Sequence, residues 1–353
     1  GTTEVTGFLK SADCLSTMNA FREMGIEITD SKDLITIKGK GLHGLSAPSK
    51  RLDMGNSGTT TRLLTGILAG QKFNSELSGD ESLNTRPMKR VITPLLQMGA
   101  NIEHNEFKAP LKFKGSDLKA INYDSPLSSA QVKSCVLLAG LNADGVTTFK
   151  EPYKSRNHTE LMLGYLGADI QVNANEVCIK KSKLSPKNIE IAGDISSAAF
   201  FISVALIVPN SEITIKNVGI NPTRTGILEV VQKMGGDIEI QNKRVISGEE
   251  VADLKVRYSQ LKGVTIEGEI IPKLIDEIPV IAVLASQAEG KTIVKDAQDL
   301  RNKEADRIKC LVSELSKMGI KIEEKEDGYY GTINKKCFDE SKSMQVIWGE
   351  IDL

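Results

Sequence analysis

The chain has 353 residues, more than one compact core usually spans, so two domains are expected. Its 45 Lys and Arg against 46 Asp and Glu give a formal net charge of -1, which excludes the broad basic field that nucleic-acid or anionic-membrane binding uses. The longest apolar run, Ala198 to Val208, falls short of the roughly 20 residues that cross a bilayer, and Cys14, Cys135, Cys178, Cys310 and Cys337 are scattered without a CxxC pair. Neither a disulfide framework nor a zinc site is read, and a reducing cytoplasm is the expected compartment.

Taken in order, the elements form a repeat. A β-rich stretch, Thr2 to Phe8, leads into a helical pattern with apolar residues at Leu15, Met18, Phe21 and Met24, and Leu34 to Lys38 reads as a returning strand. The ending Met24-Gly25-Ile26-Glu27-Ile28 recurs at Met98-Gly99, Leu166-Gly167, Met234-Gly235 and Met318-Gly319, at intervals of 68 to 84 residues. Each glycine suits the left-handed position that closes a helix, and Asn221-Pro222 reads as a cap followed by a first-turn proline. Strands are expected ahead of the later copies at Lys72 to Leu77, Val146 to Lys150, Glu212 to Lys216 and Lys291 to Lys295.

Between these units lie second helices rich in apolar and small residues, Ser57 to Leu68, Ser128 to Leu141, Ser196 to Val208 and Lys273 to Ser286. They are apolar nearly all round and are expected to be buried. Five outer helices face four inner ones, which places a missing inner helix before residue 1. The start at Gly-Thr-Thr-Glu-Val, without an initiator Met or a secretion signal, also reads as mid-protein. The loop Lys181 to Asn188 sets a boundary near residue 192, dividing domains 1–192 and 193–353.

Several helix starts carry anion-binding character. Asp53-Met54-Gly55-Asn56-Ser57-Gly58-Thr59-Thr60-Thr61-Arg62 combines glycines and hydroxyls where unpaired N–H groups attract anions, although ordinary capping explains such a start equally. Similar starts follow at Ser128-Ser129-Ala130-Gln131, Ser155-Arg156-Asn157-His158 and Gly193-Asp194-Ile195-Ser196-Ser197. Arg62, Arg86, Arg156, Arg224 and Arg307 stand near helix starts, as bidentate anion donors or as solvated surface charge. Lys303 and Arg307 in Lys-Glu-Ala-Asp-Arg read as one face of a helix. Asp276 opens a very apolar helix, where it either has a raised pKa for acid–base work or complements the helix dipole.

Together these segments closely resemble the 5-enolpyruvylshikimate-3-phosphate (EPSP) synthase family. The motifs, in unbroken order, are Gly55-Asn56-Ser57-Gly58-Thr59-Thr60-Thr61-Arg62, Arg86-Pro87-Met88, Ser129-Ala130-Gln131-Val132-Lys133-Ser134, Ser155-Arg156-Asn157-His158-Thr159-Glu160, Gly193-Asp194-Ile195-Ser196-Ser197-Ala198, Asp276-Glu277-Ile278-Pro279 and Lys303-Glu304-Ala305-Asp306-Arg307. The resemblance implies an inside-out α/β fold, two domains of repeated βαβαββ units, incomplete at both termini. It further implies transfer of the enolpyruvyl group of phosphoenolpyruvate to the 5-hydroxyl of shikimate 3-phosphate, with release of phosphate and without metal or organic cofactor. The chain is then expected to act as a monomer on these small molecules, with no nucleic-acid or membrane partner.

Carried over by position, Ser128, Ser129, Gln131, Ser155, Arg156, Asp276 and Lys303 would hold shikimate 3-phosphate. Asn56, Gly58, Arg86, Gln131, Lys303 and Arg307 would line the phosphoenolpyruvate site. Asp276 would take the 5-hydroxyl proton and Glu304 would serve proton transfer at the methylene carbon. A Lys-Ser segment upstream, an Asp-His-Arg motif and a later lysine of the family are not found, and the resemblance is expected to stop near Gly328. Little or no turnover by this chain is therefore expected, and a non-catalytic, ligand-binding remnant is the competing reading. UDP-N-acetylglucosamine enolpyruvyl transferases are the nearest rival family, but Gln71 to Arg86 lacks their cysteine.

Overall fold

The computed structural model describes residues 1–303 and 305–333, so Glu304, Cys337 and Trp348 lie outside the described residues. The first repeat is β1 (Thr2–Thr6), α1 (Ala12–Glu23), β2 (Glu27–Ser31) and β3 (Leu34–Lys38). The second is β4 (Leu52–Asp53), α2 (Gly58–Ala69), β5 (Ser75–Ser78), a short α3 (Glu81–Thr85), α4 (Lys89–Gln97), β6 (Asn101–Asn105) and β7 (Lys108–Lys114). The third is β8 (Asn122–Asp124), α5 (Ala130–Gly140), β9 (Val146–Lys150), α6 (His158–Tyr165), β10 (Ile170–Asn173) and β11 (Glu176–Lys180), followed by β12 (Ile189–Glu190). The fourth is α7 (Ile195–Ile207), β13 (Glu212–Gly219), α8 (Gly226–Lys233), β14 (Asp237–Ile246) and β15 (Glu249–Arg257). The fifth is β16 (Thr265–Ile266), α9 (Ile278–Gln287), β17 (Gly290–Val294), α10 (Arg307–Lys317), β18 (Ile322–Lys325) and β19 (Gly328–Ile333).

Among the described residues, four of the five sheets share one strand order. In β4-β5-β7-β6, β10-β11-β9-β8 and β16-β17-β19-β18, a short strand pairs parallel with the next one, which pairs antiparallel with the far strand of a hairpin. The first sheet, β12-β1-β3-β2, recruits β12 as its parallel partner from the end of the third repeat. A parallel pair needs a crossover, and the inner helices α2, α5 and α9 supply it for β4/β5, β8/β9 and β16/β17. All five repeated glycines close their outer helices with φ between +83° and +90°, the left-handed geometry the pattern predicts.

The chain divides into two compact units. The first comprises Gly1–Ile191 with the hairpin tip Ile246–Glu249, and the second comprises Ala192–Val245 and the described residues from Glu250 onward. In the first, α2 and α5 pack across a core that includes Leu64, Leu68, Val136, Ala139, Phe113 and Phe149. Their backbones meet closely: a β-carbon on Gly66 would lie 2.2 Å from the Cys135 carbonyl oxygen, so only glycine permits this approach. The second unit closes its own core with Ile202 and Leu206 of α7, Val231 of α8, Ile281 and Leu284 of α9, and Tyr329 of β19.

Three expectations about helices are corrected. α7 is not buried all round: Phe200 and Phe201 are 63% and 62% exposed, because they lie on the side of α7 away from the core formed by Ile195, Ala199, Ile202 and Leu206. Asn221 does not cap α8; its Oδ1 accepts from Thr223 N at 2.9 Å, making a turn that delays the helix to Gly226. The helix read from Lys273 begins at Ile278, after a 3₁₀ turn at Gly268–Lys273, so Asp276 lies just ahead of it. No helix among the described residues is long and apolar enough to cross a membrane.

Candidate active site

In the first unit, α2 starts where Ser57 Oγ accepts from Thr60 N at 3.2 Å, which places Gly58 and Thr59 in its first turn. One turn on, Arg62 Nη1 donates to Gln131 Oε1 at 2.6 Å, and Gln131 Nε2 donates to Thr59 Oγ1 at 3.0 Å. The starts of α2 and α5 are thereby joined through Gln131. Arg86 follows α3 in extended backbone, and its Nη2 donates to Asn56 Oδ1 at 2.6 Å while Asn56 Nδ2 donates to Asp80 Oδ2 at 2.7 Å. The Leu83 N–H and the Asn56 amide hold the Asp80 carboxyl below its ordinary pKa.

Gly58 lies between two guanidiniums: a β-carbon there would be 3.2 Å from Arg86 Nη1 and 3.3 Å from Arg62 Nη1. Burial first, and then the charges of Arg86 and Arg90, lower the Arg62 pKa, yet a guanidinium so far above neutrality stays charged. Like charges held this close favour an anion between or beside them. The structure thus brings together Asn56, Gly58, Arg86 and Gln131 and adds Arg62, which the motif reading had not assigned to either substrate.

Around the start of α5, Ser129 caps the helix by accepting from Val132 N at 3.5 Å. The Ser128 hydroxyl donates to Tyr153 O at 2.6 Å and accepts from Tyr153 N at 2.9 Å, so it ties the helix start to the loop after β9. Ser155 on that loop is buried, and its Oγ has no hydrogen-bond partner among the described residues. Arg156 follows it, half-buried, just before α6.

In the second unit, Lys303 and Arg307 do not share a helical face. Lys303 ends a second 3₁₀ turn in extended backbone, and α10 begins at Arg307 behind the Asp306 cap. Both cations nevertheless reach Asp276: Lys303 Nζ lies 3.4 Å and Arg307 Nη1 3.2 Å from Asp276 Oδ1. Asp276 therefore faces cations rather than the apolar wall expected from its sequence neighbours.

Sequence reading missed two clusters. Lys133 on α5 is buried between Glu151 and Glu160, 2.8 Å from an oxygen of each. A lysine inside the apolar run Val132 to Leu138 was the available signal. At the start of α7, Arg224 Nη2 donates to Asp194 Oδ1 at 2.8 Å and to Ser196 Oγ at 2.5 Å. Burial works to raise the Asp194 pKa, but Arg224 and the Ser197 N–H and hydroxyl outweigh it, and the net shift is downward. A depressed carboxyl contributes stability above its unfolded pKa, about 3.9, and loses it as pH falls through the lower folded value. Asp194→Asn is therefore expected to flatten the acid-side fall of melting temperature below about pH 4, since asparagine still caps the helix.

The family model for EPSP synthase (3-phosphoshikimate 1-carboxyvinyltransferase) matches residues 1–346, past the Gly328 limit expected from the motifs. The chain belongs to the EPSP synthase family. A 3-phosphoshikimate 1-carboxyvinyltransferase of Thermoanaerobacter sp. (strain X514) is 55% identical over 330 residues, 93% of this chain and 78% of that protein. One from Geotalea uraniireducens (strain Rf4) is 54% identical over 330 residues, 93% of this chain and 77% of its own. Among solved structures, EPSP synthase from Acinetobacter baumannii aligns with a TM-score of 0.87 at 45% identity, covering 94% of this chain and 76% of that one. The enolpyruvyl transferase NikO from Streptomyces tendae shares the fold, with a TM-score of 0.74 at 15% identity and coverage of 94% and 76%. The expected enolpyruvyl transferase architecture is thus the architecture of an EPSP synthase.

Proposed function

We propose that this chain is a 3-phosphoshikimate 1-carboxyvinyltransferase, acting in the cytoplasm on phosphoenolpyruvate and shikimate 3-phosphate. The observation that carries the site assignment is the joined pair of helix starts in the first unit, where Arg62, Gln131 and Thr59 link α2 to α5 beside Gly58 and Arg86. That arrangement gathers donors for a multiply anionic ligand, and both substrates carry phosphate and carboxylate groups.

In the reaction, the 5-hydroxyl oxygen of shikimate 3-phosphate bonds to C2 of phosphoenolpyruvate as its methylene carbon takes a proton. Loss of that methyl proton then restores the double bond as the C2–O bond to phosphate breaks. Asp276 takes the hydroxyl proton, and Glu304 gives and removes the proton at the methylene carbon. By the family resemblance, Ser128, Ser129, Gln131, Ser155, Arg156, Asp276 and Lys303 hold shikimate 3-phosphate, while Asn56, Gly58, Arg86, Gln131, Lys303 and Arg307 hold phosphoenolpyruvate and the cations among them offset its charge. The Ser155 hydroxyl, without a protein partner among the described residues, suits a ligand oxygen.

A phosphate-release assay tests the activity. Relatives named for this activity are 54–55% identical along 93% of this chain, which favours a working transferase over the non-catalytic remnant. Release is expected only when phosphoenolpyruvate and shikimate 3-phosphate are both present, and release with UDP-N-acetylglucosamine as acceptor would overturn the reading. Gly58 offers a finer probe. Its replacement by alanine presses on both guanidiniums by a few tenths of an ångström, so phosphoenolpyruvate affinity is expected to fall about tenfold, or about 1.4 kcal/mol. Melting temperature should hardly change, because the contacted atoms are the ends of long side chains.

A further inference from the structure

The buried cluster at Lys133 is unlike any other ion pair among the described residues: the side chains of Lys133, Glu151 and Glu160 are 1%, 2% and 3% exposed. Burying three charged groups is costly, and a hydrophobic trio of similar volume is often at least as stable. Stability alone is therefore a weak reason for its presence. Its geometry indicates another role. Lys133 sits on α5 one turn after the Ser129 cap and two residues after Gln131. Its Nζ donates to Glu151 Oε1 at 2.8 Å and to the Ser155 carbonyl at 3.3 Å, and the same Glu151 oxygen accepts the Ser155 N–H at 2.9 Å. Both backbone polar groups of Ser155 are thus fixed by this one pair. Glu160, in the first turn of α6, completes the cluster from the far side of the loop, and Ser134 Oγ meets Thr159 Oγ1 at 2.6 Å beside it.

We propose that Lys133 is a positioning residue for shikimate 3-phosphate: it sets the Ser155–Arg156 loop at a fixed height against the Ser129–Gln131 helix start. The inference rests on the reading of Ser155 and Arg156 as ligands of that substrate. A loop that carries two ligands to one anion binds tightly only if its backbone is held before the ligand arrives, and a main-chain N–H and C=O bonded to one buried ion pair leave Ser155 little freedom. Substrate contact is not required of Lys133, which lies beneath the loop and away from solvent.

The test is calorimetric titration of shikimate 3-phosphate into the unaltered chain, the Lys133→Met/Glu160→Gln double variant and Arg156→Ala, with amide hydrogen exchange on the first two. The double variant removes one positive and one negative charge, so the cluster keeps the same net charge, while the Ser155 carbonyl loses its donor and Glu151 loses the ammonium that holds it against the Ser155 N–H. Its Kd for shikimate 3-phosphate is expected to rise about tenfold or more, the scale of one lost contact to a charged group. The Ser155 amide should exchange faster while amides in the middle of α5 remain protected, a local effect that a general loss of stability does not produce. A folded double variant that binds within twofold of the unaltered chain overturns the proposal. So does a Ser155 amide that exchanges as fast as an open loop in the unaltered chain, a result that decides the matter even if the double variant fails to fold. Full affinity in Arg156→Ala would instead overturn the site reading, and this proposal with it.

Discussion

Replacing Asp276 with alanine is expected to lower kcat by about two to four powers of ten, the usual weight of a positioned general base, with little change in stability. Its ion pairs with Lys303 and Arg307 are 3.4 and 3.2 Å long and join side chains 26 to 31% exposed. Pairs so placed contribute about 0 to 1 kcal/mol each. Loss of the carboxylate also leaves two cations with less competition for a substrate anion, so the KM for phosphoenolpyruvate should not rise. Asp276→Asn separates the two possible roles, because it keeps the shape and removes the base. Steady-state kinetics on both variants provide the check: a deep fall in kcat in each supports proton transfer, whereas near-normal kcat in Asp276→Asn assigns the residue to holding the cations in place.

The largest expected loss of stability follows Lys133→Met alone. That change leaves Glu151 and Glu160 buried face to face, with no ammonium between them, and breaking a buried pair from one side costs about 3–5 kcal/mol. A carboxyl that takes up a proton limits the loss. Glu160→Gln should cost less, since it removes one of two carboxylates that share a single ammonium. Urea unfolding of the two variants, compared by midpoint at constant slope, measures the order. A Lys133→Met protein as stable as Glu160→Gln would mean that the cluster relaxes to water, contrary to its burial.

The repeat was legible because each outer helix must end in the same way: a left-handed glycine after the last core residue leaves a fixed mark at Gly25, Gly99, Gly167, Gly235 and Gly319. The strand, helix, strand order of each unit was legible with it, but the short parallel strands β4, β8, β12 and β16 were not, because two or three residues show no alternation. Helix starts were less legible. Asn221 uses its side chain in a turn rather than a cap, and Pro279 near the start of α9 draws the helix boundary past Asp276. Sequence spacing read Lys303 and Arg307 as one face, while a break at Lys303 separates them and a third residue, Asp276, brings them together. Contacts distant in sequence carry no local signal. Arg62 meets Gln131 across 69 positions, so the link between the two anion-binding helix starts had to be seen in three dimensions.

The measurement that bears most directly on the central claim is calorimetric titration of the chain with shikimate 3-phosphate, shikimate and UDP-N-acetylglucosamine. A first-unit site built from Ser129, Gln131, Ser155 and Arg156 predicts one shikimate 3-phosphate bound per chain. Shikimate without its phosphate should bind at least tenfold more weakly, as expected for loss of one or more charge-assisted hydrogen bonds of about 1.5–3 kcal/mol each. Equal affinity for shikimate with and without phosphate, or binding of UDP-N-acetylglucosamine in place of shikimate 3-phosphate, would contradict the account.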